Sequence, residues 1–275
     1  MGVQEEKQGS LRKIVREMGS ILVAFSGGVD STLLLKVAHE ELGDRAAAIT
    51  IDAPFHSRHE IDEARRLAQL MGVRHFILHT HDLKIEGLDN NPPDRCYICK
   101  KEVFGLCLEM ARQNGFAVLA DGSNVDDLGD YRPGRKALEE LGVRSPLLEA
   151  GLTKAEIRAN SRDLGLDTWE KPALACLLTR FPHGEEITPQ RLNMVEQCEN
   201  YLREKGFGLF RVRAHGETAR IEVTGDELSR LVEAGMREEM TAFFHKAGFA
   251  FVTVDMDGYR CGSMNPPAAE EKSQI

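Results

Sequence analysis

The stretch ILVAFSGGVDSTLLL, residues 21–35, decides the fold. Its first five residues are apolar without a polar break, as expected of a short strand covered on both faces. From Asp30 the sequence DSTLLLKVAHEEL (30–42) reads as a helix. SGGVDS (26–31) joins the two. Glycine at 27 and 28 lets the backbone turn tightly and bring N–H groups close to an anion, and the helix N-terminus adds unsatisfied donors and a positive dipole end. Ser26 and Ser31 add hydroxyls. Asp30 would repel a triphosphate, so it either caps the helix or holds Mg²⁺. The lysine and spacing of a P-loop are missing. The plain alternative is an ordinary strand-to-helix turn rich in Gly, Ser and Asp.

The same alternation continues outward. AAAITI (46–51), HFILH (75–79) and AVLAD (117–121) read as strands; 58–71 and 100–115 read as helices. Strands alternating with helices predict an α/β fold with a parallel sheet, whose ligands gather at the carboxyl ends of the strands. Thr153 and Glu156 form a capping box for a helix running to about Leu164. The last third changes character. A helix over 189–206, a hairpin of 210–214 with 219–223, two helical patches and a strand at 249–255 predict a smaller C-terminal α+β domain. The boundaries read as 1–185 and 186–265, with 266–275 a disordered tail.

The chain has 275 residues and a formal net charge of −9, which disfavours a nucleic-acid partner. No run approaches eighteen apolar residues, so no membrane span is expected. The N-terminus has no signal-peptide core, and Glu6 stands where a myristoylation motif wants Ser or Thr. The expected compartment is the cytoplasm, where six cysteines do not form a disulfide framework.

DRCYICKK (94–101) places Cys96 and Cys99 in a CxxC pair, which suits zinc, a redox dithiol or an iron–sulfur cluster. A second CxxC is missing, although His79 and His81 leave a mixed site open. Cys107 and Cys198 fall at helical positions that read as core, and Cys261 is undecided. Cys176, in KPALACLLTR (171–180), sits four residues before Arg180, a cation of the kind that favours a thiolate. Cys96, Cys99 and Cys176 could hold a 4Fe–4S cluster with one iron open, or be unrelated thiols.

SGGVDS after a strand resembles the loop of the PP-loop ATP pyrophosphatases, which adenylate an acceptor oxygen and release pyrophosphate. The chain as a whole is similar to one branch, the LarE family of ATP-dependent sulfur transferases. The likeness runs through AFSGGVDS (24–31), RCYICK (95–100), DGSNVDDLGDYRPG (121–134), GVRSPL (142–147), EAGLTKAEIR (149–158), CLLTRFPHGEEIT (176–188), FRVRAHG (210–216) and GYRCGSMN (258–265). It implies a Rossmann-like PP-loop domain and ATP contacts at Ala24, Ser26, Gly27, Gly28, Asp30, Ser31, Asp52, Gly122 and Lys154. It implies adenylation of a carboxylate of pyridinium-3,5-biscarboxylate mononucleotide, then conversion to a thiocarboxylate for the nickel-pincer nucleotide of lactate racemase. Cys176 and Arg180 would be the catalytic pair. Cys176 either surrenders its sulfur and becomes dehydroalanine, or joins Cys96 and Cys99 around a sulfide-carrying 4Fe–4S cluster. Arg211 and Arg213 would bind a substrate anion; a solvated strand face, with pairing to Glu222, is the plainer reading. Asp126 and Asp127 would serve metal or nucleotide, or cap a helix. Thr179 and His183 depart from the family's usual Ser and Tyr. The family assembles as hexamers. The rivals are a PP-loop tRNA thiolase, an ammonia-using PP-loop ligase with no need of Cys176, and a nucleotide-binding regulator with zinc at the CxxC.

Overall fold

A computed structural model describes residues 3–80, 85–129, 133–173, 175–260 and 264. The tail 266–275, Cys261 and His81 lie outside the described residues. The chain forms two compact units, Met1–Leu88 with Pro92–Leu174, and Asp89–Asn91 with Ala175–Ile275.

In the first unit, β1 (Ile21–Ala24), β2 (Ala46–Asp52), β3 (Arg74–His79) and β4 (Val118–Ala120) pair in parallel, in the order β3-β2-β1-β4. The helices are α1 (Val3–Glu17), α2 (Val29–Leu42), α3 (Arg58–Leu70), α4 (Arg95–Gln113), α5 (Pro133–Glu140), α6 (Pro146–Glu149) and α7 (Lys154–Asp163). Ile21 and Val23 join a core with α1, α2, α6 and α7, while Leu22 joins one with α4 and Leu138 of α5. Both faces of β1 are therefore apolar, which is why its run is unbroken. β1 lies between β2 and β4, so the chain leaves its carboxyl end at the switch point where open α/β sheets form a crevice.

Two boundaries differ from the sequence reading. α4 begins at Arg95 rather than Lys100, because nothing between Asp94 and Lys100 breaks a helix once the Pro92–Pro93 pair has passed. The CxxC pair is therefore helical. α1 is an element that the strand–helix alternation of 21–121 does not announce. It buries Leu11 and Val15, and Arg12 pairs with Glu40 and Glu41 of α2.

The second unit contains α8 (Pro189–Glu204), β5 (Phe210–His215), β6 (Thr218–Val223), α9 (Leu228–Val232), α10 (Ala234–Ala247) and β7 (Phe251–Val254). β5 and β6 form the expected hairpin; β7 joins β6 in parallel. Val212 opposite Ile221 fills the core, and Arg211 opposite Glu222 and Arg213 opposite Arg220 share the other face. Residues 175–185, read from sequence with the first domain, group with this unit. The reason is polar: Arg180 pairs with Glu199 of α8, and Arg213 of β5 donates to the Thr179 carbonyl at 3.0 Å. Residues 89–91 also group here. Fully buried Asn91, at φ 46°, donates from Nδ2 to the carbonyls of Leu178 (3.4 Å), Phe181 (2.9 Å) and Pro182 (2.9 Å).

No helix among the described residues is long and apolar enough to cross a membrane.

Candidate functional site

The loop after β1 is built as its residues dictate. Gly27 takes φ 69°, which L side chains avoid, and a Cβ there would stand 3.3 Å from the Ala64 Cα of α3. Gly28 is the extended N-cap of α2, with no side-chain cap. Its N–H donates to Ser26 Oγ at 3.3 Å, and Ser31 Oγ accepts from Ser26 N at 3.3 Å. These contacts hold the two hydroxyls at the N-terminus of α2, where helix donors lie unsatisfied by the helix itself.

Asp30 does not cap the helix. Its carboxylate accepts from Lys154 Nζ and, at 3.2 Å, from Asn124 Nδ2. Lys154, the first residue of α7, is thereby brought to the loop across 124 residues of sequence. The Thr153–Glu156 capping box holds it there. Asp126 and Asp127 serve local structure: Asn124 and Asp127 form a capping box over 125–128, and Asp126 accepts from Lys154 N at 2.6 Å. Gly122, after β4, touches the same helix start; a Cβ would meet Ser31 N at 3.0 Å and Asp30 Cβ at 3.1 Å. Any larger residue at 122 would push on the loop.

Asp52 ends β2, 2 % exposed. It accepts from Arg58 at 2.7 Å and lies 3.0 Å from His79 Nδ1. Its visible part is to fix those two side chains at the strand end. Lys171, unremarked in the sequence beyond its proline neighbour, donates to the Gly27 carbonyl at 2.9 Å and to Glu63 at 2.7 Å. No local pattern marks it, because both partners lie over 100 residues away.

The carbonyl just before the loop carries a pH response. Thr50 Oγ1 gives its hydrogen to the Phe25 carbonyl at 2.6 Å, so the 2.8 Å contact with His75 requires Nε2–H to donate. Burial, with the charge of Arg65, holds the His75 pKa down at about 4. Between the ordinary value near 6.5 and about 4, the unfolded chain takes a proton that the fold resists. This contribution to stability is complete above pH 6.5 and is lost as pH falls toward 4. Urea midpoints of His75→Gln should fall less steeply than those of the native chain across that window.

In the second unit, Cys176 is half-buried and precedes a 3₁₀ turn over 177–180. Its carbonyl accepts from Thr179 Oγ1 at 2.8 Å and Thr179 N at 3.1 Å. Arg180, 3 % exposed, donates to the Ala175 carbonyl (3.0 Å), Thr179 Oγ1 (2.8 Å) and both oxygens of Glu199 (2.8 and 3.0 Å). Burial alone would raise the Glu199 pKa; the charge and hydrogen bonds of Arg180 outweigh it and hold the carboxyl below its usual range. Arg213 pairs with Glu222, and both are buried rather than on a solvated strand face. Arg211 lies over the Tyr259 ring, and burial followed by the charge of Arg180 lowers its pKa.

The described cysteines are all reduced thiols. Cys107 and Cys198 are buried, and burial pushes each thiol up to about 12, as core cysteines should be. Cys96 and Cys99 stand three apart in the first turn of α4, which places them on neighbouring positions of one helical face. Among the described residues, no three His, Cys, Asp or Glu side chains are placed to hold a metal ion.

A parallel sheet with a Ser-Gly-Gly turn at its switch point and a lysine reaching that turn from a later helix defines a nucleotide-binding protein of the PP-loop class. Residues 20–89 match the family model of queuosine biosynthesis protein QueC, a member of that superfamily. The chain is 41 % identical over 261 residues to an uncharacterized protein of Synechocystis, covering 95 % of this chain and 97 % of the other. It is 35 % identical over 266 residues to the pyridinium-3,5-bisthiocarboxylic acid mononucleotide synthase of Lactiplantibacillus plantarum, covering 96 % of each. A tRNA-specific 2-thiouridylase of Desulforamulus reducens is 25 % identical over 193 residues, 55 % of this chain and 52 % of that one. The chain belongs to the LarE family of ATP-using sulfurtransferases.

Proposed function

We propose that this chain uses ATP to adenylate a carboxylate of a pyridinium-3,5-biscarboxylate mononucleotide and replaces the AMP with sulfur from Cys176, toward a nickel-pincer nucleotide. The observation that carries the reading is the Cys176 turn. A half-buried thiol stands on a backbone fixed from both sides, by Thr179 and by an arginine locked to buried Glu199. A core thiol would be closed off like Cys107; a nucleophile must be positioned and reachable. The Lactiplantibacillus relative, a pyridinium-3,5-bisthiocarboxylic acid mononucleotide synthase, supports a pyridinium mononucleotide as the molecule acted on.

A carboxylate oxygen attacks the α-phosphorus, the bond to the β-phosphate oxygen breaks, and pyrophosphate leaves. The donors of Ser26, Gly27, Gly28 and Ser31 meet the phosphate charge, with Ala24 and Gly122 flanking them. Lys154 supplies a cation, and Asp30 beside it would be the carboxylate to hold a Mg²⁺ that accompanies ATP, which would neutralise phosphate charge. Cys176 Sγ then attacks the acyl carbon and AMP leaves, forming a thioester. A base takes the Cα proton of Cys176, the Cβ–Sγ bond breaks, and the sulfur departs as thiocarboxylate, leaving dehydroalanine. Arg180 acts through the backbone, as a positioning residue. Arg211, desolvated and close to like charge, is the side chain that a substrate phosphate would relieve.

The other source of sulfur is a sulfide on a 4Fe–4S cluster held by Cys96, Cys99 and Cys176. The first two stand three residues apart on one helix, as two ligands of such a cluster would; Cys176 is read as giving its own sulfur, because its thiol is half-buried on a braced turn. The test is anaerobic incubation with ATP and the dicarboxylate mononucleotide. Pyrophosphate should form only with that substrate, while the protein loses the mass of one H₂S. Substrate-independent pyrophosphate, or thiolation of tRNA in its place, overturns the reading.

A further inference from the structure

We propose that Lys171 is a positioning residue for the nucleotide phosphates: it holds the Gly27 carbonyl so that the following N–H faces the anion. The proposal rests on the loop holding the ATP phosphates.

The peptide between Gly27 and Gly28 joins the two residues with the least resistance to rotation in the loop. A trans peptide points its C=O and N–H to opposite sides. If the Gly27 carbonyl turned inward, its oxygen would meet the phosphates and the Gly28 donor would be lost. The structure fixes one of these two orientations. Lys171 Nζ donates to the Gly27 carbonyl at 2.9 Å, and the Gly28 N–H is therefore directed the other way, toward Ser26 Oγ at 3.3 Å.

Lys171 is itself held on three counts. Its ammonium pairs with Glu63 of α3 at 2.7 Å, and its side chain is 14 % exposed. Its N–H donates to the Thr168 carbonyl at 3.0 Å. Its carbonyl accepts from Arg158 Nη2 of α7 at 2.9 Å, and Arg158 also donates to the Trp169 carbonyl. α3 lies against Gly27 as well, through Ala64. Two helices therefore brace one ammonium against one peptide, and a charged donor makes the stronger kind of hydrogen bond. A lysine present only to neutralise Glu63 would need no carbonyl of the loop.

The test compares the native chain with Lys171→Met and Lys171→Arg, by direct binding of ATP, of pyrophosphate and of AMP. Lys171→Met should weaken ATP and pyrophosphate by about tenfold, the order expected for losing a charge-assisted contact. AMP, which lacks the outer phosphates, should change little. Lys171→Arg, which keeps charge and donor, should recover most of the ATP affinity. In turnover, the KM for ATP should rise more than kcat falls. Equal weakening of all three ligands would mean a general structural role and overturns the proposal, as does unchanged ATP binding by Lys171→Met. Failure of the native chain to bind ATP would instead remove the reading of the loop beneath it.

Discussion

Cys176→Ala should still release pyrophosphate when given ATP and the dicarboxylate mononucleotide, and should make no thiocarboxylate. In the proposed mechanism the two halves of the reaction use different residues. Adenylation would draw on the donors after β1 with Asp30 and Lys154 (first unit), and none of them depends on a thiol. Displacement of AMP needs a nucleophile, and alanine offers none. Hydroxylamine should therefore trap the activated carboxylate as a hydroxamate in the variant. Cys176→Ser separates attack from sulfur release: an oxygen nucleophile can form an ester but cannot deliver sulfur. The companion variant Cys96→Ala/Cys99→Ala, with Cys176 intact, should keep single-turnover transfer. Loss of transfer from that variant, correctly folded and with iron and sulfide present in the native protein, would make Cys176 a cluster ligand instead of the donor. Thiocarboxylate from Cys176→Ala would remove it from both roles.

Arg180→Met should lower the stability of the second unit by about 3–5 kcal/mol, the usual cost of stripping one partner from a buried ion pair. Arg180 and Glu199 are 3 % and 5 % exposed, and both Glu199 oxygens are occupied by the guanidinium. Without it, a carboxylate stays buried beside Val212 N, which also donates to it at 3.0 Å. The Ala175 carbonyl loses a donor in the same change. The double variant Arg180→Met/Glu199→Met should recover much of the loss, because two apolar side chains of similar length leave no charge stranded. Urea denaturation of the three variants measures this. A loss in Arg180→Met no larger than that of an exposed pair, roughly 0–1 kcal/mol, would contradict the burial described.

The parallel sheet could be read from the chain because each strand is a short apolar run with a turn at its end. Covering both faces of a strand leaves a one-dimensional mark. The phosphate loop could be read for a similar reason: glycine at positive φ, followed by a helix, is local chemistry. Lys154 is legible through the family likeness of residues 149–158, and its capping box marks where α7 begins. Other parts left no such mark. Glu199 is one glutamate among several on α8, and only tertiary contact with Arg180 sets it apart. Lys171 gains its meaning from Gly27 and Glu63, both distant in sequence. α1 carries Leu11, Ile14 and Val15 at helical spacing, with Met18 just past its end, but its charged residues hide the stripe until α2 is there to receive it. Arg213 shows the opposite case. Hairpin register sets Glu222 opposite Arg211 and Arg220 opposite Arg213, and the ion pair forms on the diagonal, from Arg213 to Glu222.

Asn91 also sets an order of events in time. On the ribosome it is made long before the carbonyls it serves, with 87 residues of chain between it and Leu178. At about 5–20 residues per second, that interval is roughly 4–17 s. All four strands of the first sheet are synthesised before Leu178 appears. During the wait the Asn91 amide has only water or improvised partners. The second unit cannot be completed from its C-terminal stretch alone, since one of its buried donors belongs to its short segment 89–91, which is made much earlier. A separately expressed 175–275 would be born with three carbonyls facing an empty place, and co-expression of a segment bearing residues 89–91 is what would fill it.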